Sequence, residues 1–164
     1  MDPTTEIWTA NLSAYLSDHL AGSSGGVELA ESLAEHNPGN EFFEQLVKDI
    51  KSDQDTLERL MDKVGASESS IKTAGAVAAQ KIGSTISGSG GSGSTEKLGI
   101  LREAEMLSLG ITGKLSLWQV LEELAPSDER LAGFNLSGLV DRARKQLDGL
   151  HQQHRLLARK AFLR

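Results

Sequence analysis

Four ionisable side chains fall on what read as the apolar faces of helices. His19 lies between Tyr15/Leu16 and Ser23, and Asp53 between Ile50 and Leu57. Glu105 lies between Leu101 and Leu109, and His154 between Leu150 and Leu157. Carboxylates and imidazoles brought to one axis could do one of two things. They could satisfy one another as a buried hydrogen-bonded network, which spares each group a desolvation cost of about 1 to 3 kcal/mol. Alternatively, they could hold a divalent ion such as Fe or Mn, for which carboxylate and imidazole are suitable ligands.

The spacing favours the network. A di-metal centre in a helical bundle takes a Glu from each of two helices and a Glu-x-x-His pair from each of the other two. The sequence has no Glu-x-x-His; the nearest approach is Asp148-Gly149-Leu150-His151, with His154 one turn further on. Counted from Pro38, His19 and Asp53 differ in depth by four residues, about 6 Å along a helix axis. That suits a shared network, with His19 paired to Asp53 or Glu105, better than a shared ion. With no Cys in the chain, disulfides, iron–sulfur clusters, Cys-ligated zinc and thiol catalysis are all excluded. A phosphate-binding Gly-x-x-x-x-Gly-Lys-Ser/Thr loop and a Gly-x-Ser-x-Gly nucleophile turn are also missing from the sequence.

The elements that would position these residues are helical. Aromatic residues make up only 4% of the 164, and no stretch alternates polar and apolar long enough to suggest a strand. A first helix is expected from about Thr5 to His36, stopped by Asn37-Pro38-Gly39-Asn40. A second follows from an Asn40 cap to Gly65 along Phe43, Leu46, Val47, Ile50, Leu57, Met61 and Val64. A loop this short forces the two into an antiparallel hairpin. A shorter Ala-rich helix is expected over 67–82, and a Gly/Ser-rich flexible linker over 83–95. The chain then reads as helix from Glu96 to Leu109, a pause at Gly110-Ile111-Thr112-Gly113, and helix again to Leu124. A last helix runs from a cap at Asn135 or Ser137 to Phe162. Gly22-xxx-Gly26 could break the first helix, but the small residues Ala21 to Gly26, with apolar register on both sides, are expected instead to let a neighbouring helix approach closely.

Two long helices, a crossing segment and two more long helices form the plan of a single-domain four-helix bundle (residues 1–164) with one long crossover, as in ferritin-like folds. The segments Tyr15-Leu16-Ser17-Asp18-His19-Leu20-Ala21-Gly22 and Val27-Glu28-Leu29-Ala30 resemble the first helix of an uncharacterised group of small bacterial ferritin-like bundles. Glu103 to Lys114, with Leu117-Trp118, is similar to their third long helix. The resemblance implies an all-α, ferritin-like bundle but brings no activity with it, and the Gly/Ser run departs from the family pattern.

Charge bears on partners. The chain has 17 Lys and Arg against 23 Asp and Glu, a net charge of −6, the wrong sign for a general nucleic-acid binder. Residues 1–65 carry 13 acidic and 4 basic side chains, whereas residues 141–164 carry 2 and 7. The imbalance is expected either to draw the first and last helices together or to leave Arg155, Arg159, Lys160 and Arg164 as a basic end for a protein partner or a second copy. An acidic start and no apolar run of membrane-spanning length point to a cytoplasmic protein with no membrane contact. The expected function is a non-catalytic binding or interaction module without a cofactor. The alternative is a ferritin-like divalent-metal carboxylate protein, an oxidase or metal store, with His19, Asp53, Glu105 and His154 as ligands to Fe or Mn.

Overall fold

The computed structural model describes residues 3–66 and 94–163. These form four helices: α1 (Pro3–His36), α2 (Glu41–Val64), α3 (Ser94–Leu124) and α4 (Leu136–Phe162). Two 3-10 turns, Ala125–Ser127 and Glu129–Leu131, join α3 to α4, and there is no strand among the described residues. The expected helix over 67–82 and the expected linker as far as residue 93 lie outside the described residues. Ser94 and Thr95 are the first turn of α3.

The helix ends have local causes. Asn37 donates from its side chain to Leu33 O at 2.9 Å as α1 stops. Gly39 takes the left-handed φ of 77° that a residue with a side chain would resist. Asn40 then accepts from Phe42 N at 3.1 Å as the N-cap of α2. Gly65, at φ 76°, closes α2, and the Ala66 amide reaches Met61 O at 3.0 Å. Asn135 caps α4 by accepting from Gly138 N at 3.1 Å.

α3 runs without a break through Gly110-Ile111-Thr112-Gly113, where a pause was expected. Both glycines lack the positive φ that would turn the chain. Three hydroxyls in succession also bond back one turn: Ser108 to Ala104 O, Thr112 to Ser108 O and Ser116 to Thr112 O, at 2.8–3.1 Å. Packing of Leu107, Ile111, Leu117 and Trp118, all at most 2% exposed, outweighs the two glycines' poor helix propensity.

Cross-helix contacts fix the arrangement. Gln54 of α2 meets Ser23 of α1 at 2.8 Å, and Ser32 of α1 meets Glu103 of α3 at 2.8 Å. Asn40 of α2 meets Gln153 of α4 at 2.9 Å, and Lys114 of α3 meets Gln146 of α4 at 2.6 Å. Every packed pair is therefore antiparallel: α1 and α4 run one way, α2 and α3 the other. The first and last helices do not pair as the charge distribution suggested; α4 meets the acidic hairpin through α2. Arg155, Arg159 and Lys160 are exposed, with Lys160 Nζ 3.3 Å from Asn37 Oδ1. Arg164 lies outside the described residues.

One end is tied by Arg130. Its guanidinium pairs with the buried Asp128 at 2.7 Å, reaches Thr9 Oγ1 at 3.1 Å and Val64 O at 3.3 Å, and lies over the Trp8 ring. It thereby satisfies a C-terminal carbonyl of α2 and holds the Asp128 carboxyl below the usual range. The Phe42 ring packs against α4 at Gly149, where an added Cβ would overlap it. Gly149→Ala is therefore expected to lower stability by about 1 to 3 kcal/mol, despite Ala's better helix propensity. A urea unfolding midpoint equal to or above the parent's would contradict this packing.

Candidate functional site

Three core stripes carry a polar residue at one depth. On α2 the stripe is Leu46, Ile50, Asp53, Leu57 and Leu60; on α3 it is Leu107, Ile111, Lys114, Trp118 and Leu121; on α4 it is Leu139, Ala143, Gln146 and Leu150. Asp53 is only 3% exposed. Lys114 Nζ donates to Asp53 Oδ2 at 2.5 Å and to Gln146 Oε1 at 2.6 Å. Gln146 Nε2 lies 3.4 Å from Asp53 Oδ2, and Arg142 pairs with Asp53 Oδ1. Both oxygens of a buried carboxylate are thus engaged by two cations and an amide, as a charge in the interior requires. Burial pushes the Lys114 ammonium below its ordinary pKa, with the neighbouring Asp53 carboxylate opposing the shift.

Beside this cluster, between α1, α2 and α3, lies a cavity of about 240 Å³. Ile50, Leu57, Leu107, Ile111 and Leu117 supply its apolar wall, with Asp53, Lys114 and Trp118 among its lining residues. Gly22 and Gly26 of α1 face Gly110 and Gly113 of α3 across it; Gly22 and Gly110 are exposed and mark the opening to solvent. A wider groove of about 920 Å³ follows the α2/α4 seam past Ser52, Arg59 and Gly133. Its walls are largely exposed, which makes it a surface trough and not an enclosed site.

The glycines correct an expectation. A Cβ built at Gly22, Gly110 or Gly113 would have no neighbour within 4 Å, and one at Gly26 would make only an ordinary 3.9 Å contact with Ile50. These residues do not serve close helix approach, and their φ values are helical. They leave space.

The four residues singled out from sequence do not come together as one set; only Glu105 and His154 meet. Asp53 belongs to the buried cluster. His19 lines the cavity but does not pair with Asp53 or Glu105; its ring packs edge-on against Tyr15, with centroids 4.7 Å apart. Burial lowers its pKa, with Asp18 working the other way. Glu105 is exposed and meets His154 at 3.0 Å across the α3/α4 surface. Its assignment to the core face took Leu109 as an anchor, and Leu109 is 75% exposed. Among the described residues, no three His, Asp or Glu side chains converge as metal ligands.

Lys114, Arg142 and Gln146 are the residues that sequence reasoning missed. The three-and-four spacing from Ile111 to Lys114 to Trp118, and from Ala143 to Gln146 to Leu150, marks two of them. Arg142 lies off the stripe, and nothing in the spacing marks it. Compared with family models, curated proteins and solved structures, the chain has no match.

Removing one member of the buried pair leaves the others uncompensated. Asp53→Ala is expected to cost about 3–5 kcal/mol, measured by chemical unfolding. The triple variant Asp53→Leu/Lys114→Met/Gln146→Leu should regain most of that loss, since apolar residues can replace a buried ion pair and its amide partner at little cost while the 32%-exposed Arg142 turns to solvent. A triple variant no more stable than Asp53→Ala would contradict the account.

Proposed function

We propose that this chain is a non-catalytic binding module, a ferritin-like four-helix bundle whose ligand occupies the cavity between α1, α2 and α3. The ferritin-like plan is supported by helix direction. α2 and α3 are parallel, so α2 ends at one end of the bundle and α3 starts at the other. Opposite ends are what one long crossover joins in a ferritin-like bundle.

The observation that carries the binding reading is the set of four glycines at positions where alanine would fit. Each glycine in a helix interior costs about 0.5 to 1 kcal/mol relative to alanine. No packing contact or backbone turn offsets that cost at these positions. What they preserve is open volume beside a polar cluster, the arrangement of a small-molecule pocket. The non-catalytic reading is supported by Asp53, both of whose oxygens are engaged by cations, which leaves it no role as a base. His19 has no carboxylate or hydroxyl bonded to its ring among the described residues to orient it for proton transfer.

The test is protein-observed NMR with two ring-sized probes, toluene and benzoate, added in turn. At least one should give saturable shifts concentrated at the amides of Gly22, Gly26, Gly110 and Gly113, and Gly110→Leu should abolish them by filling the opening. Neither probe shifting these amides, or shifts that persist in Gly110→Leu, would overturn the reading.

A further inference from the structure

Resting on the cavity as the binding site, we infer that its ligand is a small, mostly apolar ring-sized molecule carrying one anionic acceptor group, a monocarboxylate in type, held by Trp118 Nε1 and Lys114.

The buried wall of the cavity has hydrogen-bond donors to spare. Trp118 is 1% exposed and lines the cavity, yet its indole Nε1 has no hydrogen-bond partner among the described residues. A buried indole N–H ordinarily finds an acceptor, and leaving it without one costs free energy. Lys114, in the same wall, has three donors, of which Asp53 and Gln146 take two. The acceptors closest to these donors are engaged. Asp53 accepts at both oxygens, and Gln146 Oε1 accepts from Lys114. Ser23 Oγ accepts from Gln54 while donating to Leu20 O. A ligand can therefore complete the buried wall by bringing an acceptor to Trp118 Nε1 and the third Lys114 donor, whereas the groups that could receive a donor, His19 and Gln54 Oε1, are only half-buried.

Charge points the same way. The cluster pairs two cations, Lys114 and Arg142, directly with the one carboxylate of Asp53, and Asp49 acts on Lys114 only through space. The other carboxylate lining the cavity, Asp18, is exposed at its rim. An acceptor with negative charge makes the stronger, charge-assisted bond to Lys114. The remaining walls are mostly aliphatic, with Ser23, His19 and Gln54 on the α1/α2 side, and suit a largely apolar body. Volume bounds that body: a cavity of about 150 Å³ lined by apolar side chains holds benzene, so 240 Å³ has room for one ring and its carboxylate.

Toluene and benzoate separate the two parts of the inference, since they share a ring and differ in the acceptor. Titrations followed by NMR should show benzoate binding about tenfold or more tightly than toluene, as a hydrogen bond to charge implies. Benzoate alone should move the Trp118 indole N–H resonance downfield. In Trp118→Phe, which keeps an aromatic wall and loses the donor, the preference for benzoate should fall several-fold while toluene binding persists. Equal affinity of the two probes, or a Trp118 N–H resonance unmoved by bound benzoate, overturns the acceptor inference and leaves the cavity as an apolar binding site. Neither probe binding at the cavity overturns the binding reading itself.

Discussion

Burying the Asp53 carboxylate is the constraint on which the rest of the arrangement turns. An ionised carboxyl at 3% exposure is tolerable only if its oxygens are met by charge and hydrogen bonds. Those partners come from two other helices, Lys114 on α3 and Arg142 with Gln146 on α4. Leu, Ile and Ala stripes could slide by a turn at modest cost, but the Asp53 contacts could not. A one-turn slip of α3 or α4 would move a partner about 5.4 Å along the axis and strand the charge. The polar cluster therefore sets the register that the aliphatic core leaves loose.

The same constraint explains why the cavity sits where it does. Lys114 must reach sideways from α3 to α2 and α4, so the α1 side of α3 is open at that depth. Larger residues at 22, 26, 110 and 113 would close the opening, but each of those positions is glycine. Helices with two such glycines each are weaker than they need to be, and neighbouring Leu16, Ile111, Leu117 and Trp118 make up the difference by burial. The far end is fastened independently by Arg130, which joins α1, α2 and the α3–α4 connection. The bundle is thus held by its two ends and its central cluster, and the space beside the cluster can stay open without loosening the fold.

Much of this was legible in the residues. Asn37-Pro38-Gly39-Asn40 announces a helix end, a turn and a cap, and the hairpin follows. Asp53 stands on an unambiguous stripe. α3 misleads because Leu107 and Leu109 are equally apolar, and only packing shows that the first is buried and the second exposed; Glu105 was misplaced with Leu109. Lys114 was discoverable, since it sits three residues after Ile111 and four before Trp118, but a lysine on an apolar stripe is easily taken as solvent-facing. The role of the glycines was not legible. A sequence shows that a side chain is missing, and only the structure shows whether another helix fills the space.

The measurement that bears most directly on the central claim, that these glycines preserve a ligand's space and not the helix packing, is the stability of the chain with Gly22, Gly26, Gly110 and Gly113 all replaced by Ala. Four small methyl groups entering open volume and better helix formers in two helices should raise the free energy of unfolding by about 2 to 4 kcal/mol. The account predicts that gain in urea or thermal unfolding of the ligand-free protein. A variant less stable than the parent would show that the glycines are needed for packing, and would contradict the account.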